Sequence, residues 1–115
     1  MPIFNLNPPQ TQQNNINVTE DVLSAGNRST VSVSATPSVV IPANPSRGNY
    51  QIYNNSTNTC FIAHSSTVSA SSFEFPIPGG NLWYPDISNG RYLGQVAAVT
   101  ASGTASLMVT EFTIL

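Results

Sequence analysis

A chain of 115 residues holds one domain and is too short for two independent cores. Charged side chains are 7% of it, 3 arginines and no lysine against 5 Asp or Glu, for a net charge of -2. That balance excludes the clustered cations that nucleic acid or an anionic membrane surface requires, while a hydrophobic share of 40% excludes the charge-rich disordered class.

Residues 1–17 contain eight Asn or Gln and three Pro. Apolar side chains are too few there to offset the ordering of the backbone, so this stretch is not expected to fold alone. Ile3, Phe4 and Leu6 nonetheless form a compact apolar knob on a polar tether. Strand addition to the edge of a neighbour would use such a knob; a frayed terminus with an incidental apolar triplet is the other reading. Thr19 to Leu23 allow one helical turn capped by Thr19. Residues 1–29 are therefore read as an extended N-terminal arm and 30–115 as the folded domain.

From Thr30 onward the pattern is β. Val31, Val33 and Ala35 alternate with Thr30, Ser32 and Ser34, as in a strand with one buried face. Val39-Val40-Ile41 follows the break at Pro37. Tyr50 to Tyr53 and Cys60 to Ala63 flank the polar stretch Asn54 to Thr59, which predicts a hairpin. Phe73-Glu74-Phe75 alternates before Pro76-Ile77-Pro78-Gly79-Gly80, a loop pattern. Trp83 and Tyr84 form another short run, closed by Pro85-Asp86 and Ser88-Asn89-Gly90. Leu93 to Thr100 and Ala105 to Leu115 are the last two strands, and the buried parity of the second changes near Val109 to Phe112, which predicts a bulge or a strand that leaves one neighbour for another. Seven or eight short strands at this spacing predict an all-β fold, a small antiparallel β-sandwich or a jelly-roll-like barrel.

Chemistry is sparse. His64 is the only histidine and Cys60 the only cysteine, so the familiar zinc sets are out of reach, and Cys60 in its apolar run reads as a buried small hydrophobe. A triad of His64, Ser65 or Ser66, and Asp86 can be drawn on paper, but no glycine-framed nucleophile elbow accompanies it. Glu74 and Glu111 could be paired carboxylates, or could each mark a solvent face or meet an arginine. Pro78-Gly79-Gly80 lacks the Lys and Ser/Thr of a phosphate loop. The expectation is of no catalytic residue, no metal and no cofactor. The opening residues MPIFNLNPPQ lack the regions of a signal peptide, which predicts synthesis in a cytoplasm without export by that route.

Surface recognition is the remaining source of function. Trp83 and Tyr84 carry polar handles on large rings and suit an interface or a sugar platform; Trp83 could equally plug one end of a small core. Arg47, in the corner Pro42-Ala43-Asn44-Pro45-Ser46-Arg47, could tie loop carbonyls together, pair with an acid or touch a neighbouring subunit. The Ser, Thr and Asn that dominate the polar surface fit a face made to be covered, because they desolvate more cheaply than charges. They also simply suit exposed strands. The candidate interface residues are Ile3, Phe4, Leu6, Arg47, Trp83 and Tyr84.

The strand Val40-Ile41 running into Ala43-Asn44-Pro45-Ser46-Arg47, the strand Tyr50 to Tyr53, the turn Asn54-Asn55-Ser56, the Pro/Gly loop Phe75 to Gly80 and the late pair Val96 to Glu111 together resemble a small β-sandwich domain of tailed-bacteriophage virion proteins. The resemblance spans about residues 30–112. It implies a structural protein located in the virion, most like a head decoration (cement) protein on the capsid surface. Its partner would then be the major capsid protein or another virion protein, and it would form a homo-oligomer, a dimer or trimer, with no direct nucleic-acid or membrane binding. A tail, head-tail connector or fibre-associated receptor- or carbohydrate-binding module is the alternative. The arm has no counterpart in the resembled domain.

Overall fold

A computed structural model describes residues 22–115. Eight strands run in chain order: β1 (Asn27–Val33), β2 (Ser38–Ile41), β3 (Arg47–Asn54), β4 (Cys60–Ala63), β5 (Phe75–Ile77), β6 (Leu82–Trp83), β7 (Val96–Thr100) and β8 (Ala105–Thr113), with a 3₁₀ turn at Ile87–Asn89. They form two four-stranded sheets in the orders β1-β8-β3-β6 and β2-β7-β4-β5, every pairing antiparallel. The all-β sandwich expected from the alternation is what forms.

The ladders β1·β8, β2·β7, β3·β6 and β4·β5 join the strands from the ends inward, first to last and second to next-to-last. A two-stranded ribbon of that kind, folded over so that β8 also meets β3 and β7 also meets β4, produces the observed order. That is the arrangement of an eight-stranded jelly roll.

Inward-facing residues of both sheets make the core. Val33, Tyr50, Ile52, Leu107 and Val109 come from one sheet; Ile41, Cys60, Ile62, Ile77, Val96 and Ala98 come from the other. Cys60 is fully buried, and burial pushes its thiol up to about 11, so it stays protonated at neutral pH. In β2 a register shift lies between Val39 and Ile41, and it lets the consecutive Val40 and Ile41 both turn inward. All of β7 is buried, because Ala97 and Val99 lie under Val68 on the sheet's outer side.

Several expectations are corrected. Tyr50–Tyr53 and Cys60–Ala63 are strands but not a hairpin: β3 pairs with β8 and β6, and β4 pairs with β7 and β5. The polar stretch between them therefore crosses from one sheet to the other. Buried Asn54 anchors that crossing, donating its amide to the carbonyls of Asn58 at 2.7 Å and Ile77 at 2.8 Å. The late strands β7 and β8 likewise fall in different sheets. Pro76-Ile77 belongs to β5 rather than to a loop, and β5 is an edge strand, where a residue without N–H is tolerated. Ala35 is exposed and lies past the end of β1.

The bulge expected in the last strand is on its partner. The register shifts in β3, between Arg47 and Asn49, while β8 keeps one parity inward through Leu107, Val109 and Glu111. Apolar residues on the other parity misled the alternation, since Ile114 bridges to Leu23. Gly48 sits at the bulge with Leu23 and Ile114 against it, so a side chain there would have to displace that of Leu23. The ladder starts before Thr30, at Asn27, and is prolonged by Ser24 N–H to Thr113 O at 2.8 Å and Leu115 N–H to Val22 O at 2.9 Å. Thr19 to Asp21 of the expected helical turn lie outside the described residues, and Leu23 is in an extended bridge, not a helix.

Candidate functional site

The bulge at Gly48 brings Arg47 inward at one end of the sandwich, where it is 1% exposed. Its guanidinium donates to Glu111 Oε2 at 2.8 Å, to the carbonyls of Tyr92 and Gly94 at 2.9 Å each, and to Pro42 O at 2.6 Å. Glu111 also accepts from the Asn44 amide at 3.0 Å. A planar fork with several fixed donors is suited to tying three chain segments at once, and lysine would not replace it. Arg47 also stands 5.4 Å from the centre of the Tyr50 ring, a cation–π contact.

Tyr50 carries the network onward. Its hydroxyl bonds His64 Nε2, and His64 Nδ1 meets Glu74 Oε2 at 2.8 Å. Burial pushes the Tyr50 hydroxyl well above the ordinary tyrosine range, against the opposing pull of Arg47, so it stays neutral at ordinary pH. Around the imidazole stand Tyr92 at 4.6 Å, Trp83 at 5.6 Å and Phe75 at 5.8 Å between ring centroids. Phe75 and Trp83 stack at 4.1 Å with planes 23° apart. The sequence Glu111–Arg47–Tyr50–His64–Glu74 thus links both sheets and the β6–β7 connection across one end of the fold.

The residues singled out in the sequence are scattered by the fold. Arg47, a candidate for the interface, is 1% exposed and spends its Nε, Nη1 and Nη2 donors on bonds inside the domain. Trp83 is half-buried and packs against the core beneath Phe75, whereas Tyr84 is 63% exposed. Ile3, Phe4 and Leu6 lie outside the described residues. The paper triad does not assemble: the carboxylate on His64 is Glu74, Ser65 Oγ donates to Thr67 O at 2.7 Å, and Asp86 accepts from Ser88 N at 2.9 Å to cap the 3₁₀ turn. Glu74 and Glu111 are held by different partners, His64 and Arg47.

Sequence reasoning missed the aromatic cluster on Tyr50, Phe75 and Tyr92. Tyr50 shares inward parity with Ile52, a signal that was available. Tyr92 lies in a connection, where no periodicity could place it. Among the described residues, no group of three His, Cys, Asp or Glu side chains gathers to hold a metal, and no helix is long and apolar enough to cross a membrane. A hollow of about 160 Å³ lies away from this network, among Thr67, Val68, Ser69 and Ser72. Chemically the network is a brace of hydrogen bonds and rings, with its donors and acceptors directed at one another. The chain matches no family model, no curated protein and no solved structure.

Proposed function

We propose that the protein is a non-enzymatic structural protein of a tailed-bacteriophage virion, a head decoration (cement) protein that binds the outer capsid lattice and bridges adjacent copies of the major capsid protein. The observation that carries this reading is a jelly-roll frame with an almost uncharged exterior, charged residues being 7% of the chain. Three of those charges, Arg47, Glu111 and Glu74, are engaged within the domain's own network. A surface of Ser, Thr and Asn is covered by a lattice at modest desolvation cost. The resemblance of residues 30–112 to phage virion domains points the same way.

Jelly rolls serve lectins as well as capsids, and a carbohydrate- or receptor-binding module of the tail is the second reading. Exposed Tyr84 favours it. Trp83, which would be the main stacking platform, is turned inward onto Phe75, and that favours the first. Reconstitution separates them. Purified protein added to particles that lack it should bind saturably at lattice sites and raise the temperature at which the heads rupture. Absence of binding to heads, or binding with no change in rupture temperature, would count against a cement role.

A further inference from the structure

The outer faces of the two sheets differ. On the sheet containing β7, Phe61, Ala63, Ala97 and Val99 are roofed by Val68 from the β4–β5 connection, and Phe73 packs on Phe61 at 4.6 Å between ring centroids. On the sheet containing β8, Thr110 in the middle of the face is buried, but the row beside it, around Met108, stays open among the described residues. Register places Thr30, Met108, Tyr53 and Leu82 in one row across its four strands. Met108 is 40% exposed and Leu82 49%, and Tyr84, just past the end of β6, is exposed as well. Their outward direction follows from alternation, because Leu107, Val109 and Ile52 beside them are core. The next row contains Arg28, Thr110 and Gln51. Arg28 is the one charged side chain at outward strand positions of this face among the described residues. At the opposite margin, just past Tyr84, stands the exposed Asp86.

We propose that this face is the contact between two copies of the chain, related by a two-fold axis running along the strands. Such a rotation lays β8 of one copy over β3 of the other and β1 over β6. Met108 then meets Tyr53 of the second copy, a thioether against an aromatic ring. Arg28 comes to the margin that carries Tyr84 and Asp86 of the second copy, and symmetry makes that contact twice. The occupant is a second copy because the face holds its own complement: the positive margin and the negative margin exchange places under the rotation. A net charge of -2 adds little repulsion between copies. The inference stands independently of the virion reading.

Sedimentation of the full-length chain over a range of concentrations tests it. The expected result is a concentration-dependent dimer whose Kd rises about tenfold or more in Met108→Lys, an exposed substitution checked for folding by circular dichroism. Arg28→Asp and Asp86→Lys should each weaken the dimer, and the double variant should recover affinity. A monomer at every concentration overturns the proposal, and so does an assembly indifferent to Met108→Lys. Dissociation by Met108→Lys without recovery in the double variant also overturns it, because the face would then be covered by something other than its own copy, the N-terminal arm included.

Discussion

Arg47 takes up the carboxylate of Glu111 and three carbonyls while being 1% exposed. Removing such a cation leaves the Glu111 carboxylate only the Asn44 amide and takes the guanidinium donor from the carbonyls of Pro42, Tyr92 and Gly94. Arg47→Met is therefore expected to lower stability by about 3–5 kcal/mol, the usual cost of breaking a buried pair from one side; urea denaturation measures it. Tyr50 gives a pH signature. Its hydroxyl keeps its proton in the folded state at pH values where the unfolded chain, with an ordinary value of 10.0, has released it. Above that value the folded state binds more protons than the unfolded state, so stability is intact below about pH 10 and declines as pH rises. Tyr50→Phe should start less stable, having lost its bond to His64, yet decline less steeply on the alkaline side. Parallel alkaline limbs in the two proteins would contradict this account.

Between elements, the decisive feature is the crossing from β3 to β4. Asn54 is fully buried and its amide satisfies Asn58 O and Ile77 O, tying the crossing to the end of β5. Gly79 lets that crossing lie against the turn after β5, since a side chain there would run into the backbone of Ser56 and Thr57. Asn54→Ala removes the side-chain donor from the buried Ile77 carbonyl and leaves the Asn58 carbonyl only the longer bond from Ser56 Oγ at 3.3 Å, which is expected to cost about 1–3 kcal/mol, readable as a lower midpoint in denaturant with an unchanged slope. The strands β3 and β4 were legible in the sequence because a period of two marks which face is buried. Their partners were not legible, because alternation is the same whether the next strand joins its own sheet or the opposite one. A short polar run of Asn and Ser serves a hairpin and a crossing equally well. Pro76 shows the same limit, since its lack of an N–H argues for a loop until the strand is known to lie at an edge. Arg47 and Glu111 were each visible as rare charges, and their pairing waited on the ladder that sets β3 beside β8.

At the scale of the molecule, β1 and β8 are the outermost pair of a folded ribbon, and Leu23 bridges Ile114 so that the described chain begins beside its own C-terminus. Pairings between distant parts of the chain place folding among slow β topologies, milliseconds to seconds. One sheet is roofed by its own connection and the other leaves Met108 and Leu82 in the open. On the proposed cement reading, a domain of this form, poor in charge, would repeat over the capsid surface. Quantitative mass spectrometry of purified virions is the most direct test of that role. The cement reading predicts a copy number comparable with that of the major capsid protein; a few copies per particle, as for a tail component, would contradict it.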